Sequence, residues 1–122
     1  MNKEIATFAC KSTSLTKSTD ASGTHTFVVN VEGTATGEFA GALVGTMILT
    51  TRNLQSGTFT SDYAAYMADS VVVAGQGLGV YSSLGGHRWR MNGYAVVGDG
   101  RTVRTEADVD LASRSMNGKV FA

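Results

Sequence analysis

The sequence predicts an all-β domain whose strands close into an eight-stranded antiparallel barrel. Fifteen of the 122 residues are glycine and none is proline, a composition that favours strands joined by tight turns over helices. Apolar and polar residues alternate in several runs, and no run combines a helical period with capping residues. Because seven or eight strands in one open sheet would leave a large apolar face in water, we expect closure into a barrel, with a β-sandwich as the alternative.

Length and charge limit the classes of function. A chain of 122 residues is expected to form one domain spanning residues 1–122. Ten basic and ten acidic residues give a formal net charge of zero, which argues against a nucleic-acid partner because polyanion binders normally carry a basic excess. The N-terminal residues contain no long apolar run, so neither a signal peptide nor a membrane partner is expected. A single cysteine, Cys10, cannot form an internal disulfide, and we predict a cytoplasmic protein.

The first half of the chain predicts three or four strands. A first strand is expected over about residues 2–10, followed by a polar loop or weak edge strand over residues 11–23. The run THTFVVNVEG alternates, with His25, Phe27 and Val29 on one face. The run TGEFAGALVGTMILTTRN then predicts two strands or one bent strand, because its Thr, Phe, Val and Ile content outweighs its helix-like glycine spacing.

The second half predicts further strands separated by glycine turns. We expect turns at GQGLG, residues 75–79, at Gly85-Gly86 and at Asp99-Gly100. Strands are expected in GTFTSDYAAYMADS, VVVAGQG, HRWRMNGYAVVG and TVRTEADVDL, and in MNGKVF after an Asn-Gly turn.

The strand around the only tryptophan carries the clearest functional signal. Side chains alternate along a strand, so His87, Trp89 and Met91 share one face while Arg88 and Arg90 share the other. The less charged face is expected to point inward. Its large side chains lie at one end and Gly93 and Ala95 follow at the other, a taper that favours an internal pocket. Ordinary core packing of Trp89 and Met91 is the alternative interpretation.

The segment VYSSLGGHRWRMNG resembles a segment of bacterial spirotetronate cyclases, which belong with plant allene oxide cyclases in a group of small β-barrels. The resemblance covers about a fifth of the chain, and SVVVAGQG resembles a family strand more loosely. At one position, His87 stands where the family has an arginine. The residues that carry the resemblance are Gly79, Tyr81, Leu84, Gly86, Trp89, Arg90, Met91 and Gly93.

The resemblance implies an often dimeric barrel that folds a flexible polyketide or oxidised lipid and lets it cyclise. The family's lumen-lining Trp and Met correspond to Trp89 and Met91, and its lumen-capping tyrosine corresponds to Tyr63 or Tyr66. The water-binding proline and glutamate of the plant enzymes are not carried over, since this chain has no proline. The candidate catalytic residues are Trp89, Tyr63 and His87; the candidate substrate-binding residues are Met91, Tyr66, Tyr81, Phe27 and Phe39.

Such a reaction needs no cofactor, because confinement of the substrate in a reactive shape supplies most of the rate. Tyrosine hydroxyls and the indole N–H would donate to a carbonyl. His87, paired with Asp62 or Asp69, is the candidate acid–base group, and a rim histidine bonded to the backbone is the alternative. Two histidines and one cysteine far apart in the sequence make no zinc motif, so no metal is expected.

Two functions from different classes therefore remain. The first is a cyclase or isomerase of a polyketide-type intermediate, which we favour because the segment around Trp89 resembles enzymes. The second is a lipocalin-like carrier of an apolar small molecule without chemistry. A homodimer is expected for either, with Arg88, Arg90 and Tyr94 meeting Glu106 and Asp108 of a second copy.

Overall fold

The computed structural model describes residues 1–122 and shows eight antiparallel strands in one closed barrel. The predicted barrel is confirmed, and the β-sandwich alternative is wrong. A one-turn 3-10 helix, Ala68–Ser70, joins the fourth and fifth strands. The strands are β1 (Glu4–Thr19), β2 (His25–Gly37), β3 (Gly41–Thr51), β4 (Ser56–Met67), β5 (Val72–Gly85), β6 (Arg88–Val97), β7 (Thr102–Asp110) and β8 (Ser115–Phe121).

Each strand pairs with its sequence neighbours, and β1 pairs with β8 to close the cylinder. Successive connections therefore alternate between two ends. We call the end that holds both chain termini and the β2–β3, β4–β5 and β6–β7 connections the terminal end. We call the end that holds the β1–β2, β3–β4, β5–β6 and β7–β8 connections the distal end. The position of a residue along its strand therefore decides whether it lies near the terminal end or near the distal end.

Two predicted turns are wrong, and the segment that the sequence left open between a loop and a weak edge strand is a strand through Thr19. Residues 11–19 belong to β1, where the polar run pairs with β2 from Lys11 to Thr19. Residues 75–79 lie inside β5, and Asn117-Gly118 lies inside β8. All three segments share one cause. Their glycines and polar residues pair with one or two neighbouring strands, and amino-acid composition alone does not show such pairing. The turns at Gly85-Gly86 and Asp99-Gly100 are confirmed by positive φ values of 83°, 63° and 89° at the three glycines.

Several inward-facing glycines make room for aromatic rings on neighbouring strands. Gly45 lies opposite Tyr63, and a Cβ added there would collide with the tyrosine ring. Gly79 and Gly93 lie opposite each other, and Cβ atoms there would come within 2.8 and 2.9 Å of the Phe59 ring. The missing Cβ atoms therefore leave room for the Tyr63 and Phe59 rings against the neighbouring strands.

The core has a middle and a terminal part. The terminal cluster packs tightly, and its Val103 is only 1% exposed. Its members are Ala6, Val97, Val103 and Val120. The middle cluster crosses the barrel and consists of Cys10, Val29, Val31, Met47, Phe59, Tyr81, Met91, Ala107 and Met116. The distal end of the lumen lies beyond this middle cluster.

Candidate functional site

The larger internal cavity, which we call the distal cavity, has a volume of about 270 Å³. Thirteen of its 18 lining residues are hydrophobic. Leu15, Leu54 and Leu111 belong to the lining and are each 44–51% exposed, so this cavity reaches solvent at the distal end. An apolar recess with a few polar groups at its mouth is the usual form of a small-molecule site.

Four of the predicted site residues meet in the distal cavity: Trp89, Met91, Tyr81 and Phe27. Trp89 comes from β6, where it pairs with Ser83 of β5 and Val109 of β7. The inward direction predicted for Trp89 and Met91 from strand alternation is confirmed. Every buried side-chain nitrogen and oxygen has a hydrogen-bond partner, and Trp89 makes no hydrogen bond, so its indole N–H is solvent-accessible and free to donate.

A smaller cavity, the terminal cavity, has a volume of about 120 Å³ and contains Tyr63 and Phe39. Phe39 lies in the β2–β3 connection and packs against the terminal cluster. The Arg101 guanidinium lies 5.9 Å from the Phe39 ring centre and forms ion pairs of 2.9 and 2.8 Å with Glu38 and Asp99. This arrangement ties the β6–β7 connection to the β2–β3 connection beside the terminal cavity.

Three methionines separate the two cavities. Met47, Met91 and Met116 line both of them, and each is only 3–4% exposed. They project from β3, β6 and β8 and so meet across the lumen. Unbranched thioether side chains change rotamer at low cost. We call these three residues the methionine layer. Each cavity by itself is smaller than the roughly 300 Å³ at which small-molecule sites usually begin.

Tyr63 is a neutral hydrogen-bond donor. It is half-buried, since one side of its ring borders the terminal cavity, and burial raises the pKa of its phenol well above the ordinary value. Its phenol keeps its proton at neutral pH and can donate to a carbonyl, but it cannot act as a base there. Burial likewise raises the pKa of the Cys10 thiol to about 11, so this thiol is no nucleophile at neutral pH.

Tyr63 makes the stability of the barrel sensitive to alkali. In the unfolded chain the Tyr63 phenol ionises near pH ~10, whereas in the barrel its raised pKa keeps it protonated. The contribution of the buried phenol to the free energy of unfolding is therefore complete below about pH 10 and is lost as the pH rises further. We expect the free energy of unfolding, from urea titrations at pH 9 and pH 11, to fall less in Tyr63→Phe than in the native chain. Absorbance at 295 nm, with denatured samples as the control, reports the phenol directly. An equal fall in both chains would contradict this role.

His87 does not lie where the sequence predicted. β6 begins at Arg88, and His87 sits in the β5–β6 turn with a φ of 58° and an exposed side chain. Its carbonyl accepts a hydrogen bond of 3.1 Å from the N–H of Leu111. The pairing with Asp69 is wrong because Asp69 is at the terminal end, and Asp62 points outward from β4. The prediction was wrong because the turn at Gly85-Gly86 also includes His87, so the alternation of the strand begins only at Arg88.

The predicted lumen contact of Tyr66 is also wrong, and Arg90 has an acidic partner within its own chain. Tyr66 faces outward from β4 and is 53% exposed, because it directly follows the inward-facing Ala65 and successive side chains of a strand point to opposite faces. Arg90 bonds Asp108 of its own chain at 2.9 Å across β6 and β7. Their hydrogen bond lowers the pKa of the Asp108 carboxyl. This internal pair removes the reason for assigning Arg90 and Asp108 to a contact between two copies.

Several cavity residues were missed from the sequence. Met47 alternates with Gly45 and Leu49 on β3, so strand parity was a signal that could have found it. Strand parity indicates Met116 less clearly, because a turn was expected at the neighbouring Asn117-Gly118 and the direction of Met116 could not be deduced across it. Arg114 lines the distal cavity from the β7–β8 turn, and no pattern in the sequence marks it.

Comparison with known proteins leaves the site to be judged on its own geometry. Nowhere do three or more His, Cys, Asp or Glu side chains come together as metal ligands. None of the chain's helical structure has the length and apolar character needed to span a membrane. A comparison of the chain with family models, with curated proteins and with solved structures finds no match.

Proposed function

We propose that the barrel is a cofactor-independent cyclase or isomerase that folds a polyketide-type intermediate in its lumen and promotes ring formation. The observation that carries the proposal is the distal cavity, an apolar recess open to solvent with the indole of Trp89 in its wall. The resemblance of residues 79–93 to spirotetronate cyclases supplies the reaction class. Such a cyclisation forms new bonds within one molecule, so its product keeps the mass of the substrate.

The chemistry proposed depends on shape. Neither cavity is lined by a histidine, and the only ionisable carboxylate or guanidinium groups on their walls are Asp110 and Arg114 at the distal rim. A confining apolar wall restricts a flexible chain to a reactive conformation, which is worth up to roughly 7–11 kcal/mol of the barrier. The indole N–H of Trp89 can polarise a carbonyl held in the distal cavity, and the neutral phenol of Tyr63 can polarise one held in the terminal cavity.

A carrier without chemistry is the second candidate, and the same wall favours it. An apolar wall is sufficient to bind an apolar molecule, and thirteen hydrophobic residues line the distal cavity. Catalysis by proton transfer would in addition need an acid–base pair that faces the cavity, and the walls contain no such pair. The two functions share the ligand and the cavity. They differ in whether the ligand leaves as a different isomer.

One experiment separates them. The native chain is incubated with a linear conjugated polyene that carries an activated alkene, and binding is followed through the fluorescence of Trp89, the only tryptophan. The polyene is then extracted and analysed by chromatography and mass spectrometry. A cyclase returns an isomer of equal mass that has lost part of its conjugation, faster than a buffer control. A carrier returns the polyene unchanged, and failure to bind contradicts both functions.

We propose a homodimer formed through the outer face of β5 and β6, in the cytoplasm, with no nucleic-acid or membrane partner. Five apolar side chains on this face are each more than half exposed: Val72, Leu78, Val80, Tyr94 and Val96. Adjacent exposed apolar residues commonly mark a surface that is covered by a second protein. The zero net charge and the unpaired cysteine support the partner classes and the compartment.

Leu78→Glu tests this dimer. Because Leu78 lies opposite Tyr94 and is 64% exposed, the substitution costs little in a monomer but places two charges in an apolar interface. We expect sedimentation to show a dimer for the native chain and a monomer for the variant, with equal melting temperatures at low concentration. Glu106→Gln, on β7 beyond the apolar face, is the control. A native monomer at high micromolar concentration would contradict the proposal.

A further inference from the structure

Arg114 is a cation without an anion at the entrance of the distal cavity. The structure contains five ion pairs, and none includes Arg114. The other arginine at the distal end with bound polar partners, Arg52, donates to the Ser22 carbonyl at 2.9 Å and does not line the cavity. Arg114 is therefore the only positively charged residue in the cavity wall, and its charge is not offset by a pair.

The backbone of Arg114 is held in place although its side chain is exposed. Its N–H donates to the Leu111 carbonyl at 3.3 Å, and its carbonyl accepts a bond of 3.0 Å from the N–H of Ser12 on β1. The residue adopts a left-handed φ of 54°. These two bonds join the β7–β8 turn to β1, so the guanidinium starts from a fixed point on the rim of the barrel.

Most other polar groups around this cavity are already engaged. Thr51 donates its hydroxyl to the Ser56 carbonyl at 2.6 Å, and the Ser115 hydroxyl bonds the Ser113 hydroxyl at 2.6 Å. Asp110 accepts a bond of 2.9 Å from the N–H of Ala112. Asp110 belongs to none of the five ion pairs, and its negative charge opposes an incoming anion, so Arg114 is the one group of this wall that attracts a carboxylate.

We propose that the distal cavity takes a ligand with an apolar body and one carboxylate, and that Arg114 binds the carboxylate at the entrance. A guanidinium presents two parallel N–H donors that match the two oxygens of a carboxylate. The apolar body lies against Leu15, Leu111 and Trp89, which line the same cavity. The inference rests on the proposed function for the apolar body and adds the headgroup, which narrows the substrate class to acids.

Decanoic acid and 1-decanol test the headgroup because they share one chain length and differ in charge at pH 7.5. Both are titrated, below their aggregation limits, against the native chain and three variants: Arg114→Gln, Arg114→Lys and Arg52→Gln. Binding is read from Trp89 fluorescence. We expect Arg114→Gln to weaken decanoate roughly 3- to 10-fold and to leave decanol unchanged. Arg114→Lys keeps the positive charge but loses the paired N–H donors, so it recovers only part of the affinity that Arg114→Gln loses, and Arg52→Gln changes the affinity less than about twofold.

The outcomes separate this inference from the proposed function. If both probes bind the native chain and Arg114→Gln leaves decanoate unaffected, the headgroup assignment is wrong while lumen binding stands. If Arg114→Gln weakens both probes equally, Arg114 shapes the entrance without reading charge, and the assignment is again wrong. If neither probe binds the native chain, the headgroup assignment and the apolar lumen site both fail. Decanol binding also reports that each variant is folded.

Discussion

Trp89→Ala is expected to lose at least about 30-fold in affinity for an apolar ligand, because Trp89 forms part of the wall of the distal cavity. Aromatic anchors in apolar sites typically contribute about 2 kcal/mol or more to binding. The indole is only half-buried, so its loss should cost less stability than the loss of a fully buried tryptophan, for which about 3–5 kcal/mol is usual. Calorimetry measures the affinity, since the variant has no tryptophan left to observe.

Tyr94→Ala is the matched control for this substitution. Tyr94 lies on the same strand, β6, but points outward and is 54% exposed. It removes an aromatic ring of similar size without touching the cavity, so ligand affinity should stay within about twofold. If Trp89→Ala lowers the melting temperature by many degrees and leaves ligand affinity unaltered, Trp89 is a packing residue only. Trp89→Phe, which keeps a flat ring and loses the indole N–H, separates the wall from the hydrogen bond.

Met91→Ala is expected to have the largest effect on stability. Met91 is 3% exposed and belongs to the methionine layer, and truncation of a buried methionine to alanine usually costs about 2–5 kcal/mol. The truncation also joins the distal and terminal cavities into one lumen. We therefore expect lower stability in urea together with a shift of ligand preference toward longer chains, measured as the affinity ratio of hexadecanol to decanol.

Met91→Leu provides the control because it nearly conserves volume and usually costs less than about 1.5 kcal/mol. It should keep the ratio of the two affinities close to the native value. Ile48→Ala, at an outward position of β3 that is 43% exposed and outside the proposed dimer face, checks that side-chain truncation alone does not destabilise the barrel. A Met91→Ala chain that binds long and short alcohols in the native ratio would show that the methionine layer does not separate the two cavities.

The barrel was predictable because its evidence is periodic. In β6 and β7 every second residue is apolar or small and faces inward, as Met91 and Val103 do. A one-residue error reverses the face of a side chain, and for this reason Tyr66 was misplaced; Tyr63 does face inward, but into the terminal cavity and not beside Trp89 as predicted. Alternation could also indicate Trp89, since only the inner face of its strand lacks charge.

The misplaced residues depend on pairing and turn geometry, which lie outside local sequence. The polar run of residues 11–19 becomes a strand because β2 supplies hydrogen-bond partners along its whole length. His87 leaves the inner face because the turn includes it in a left-handed conformation. Arg114 reaches the cavity because β8 brings its turn beside Ser12 of β1, a contact between residues about a hundred positions apart.

The central claim is that the indole of Trp89 faces an apolar space that an apolar guest can enter. A brominated decanol tests it directly, because a bromine atom quenches tryptophan fluorescence only at contact, whereas iodide quenches indoles that face bulk water. We expect saturable quenching by the bromoalcohol, weak quenching by iodide, and release by an excess of unlabelled decanol. Strong quenching by iodide with none by the bromoalcohol would place Trp89 on the outer surface or beside a filled interior and would contradict a lumen site at Trp89.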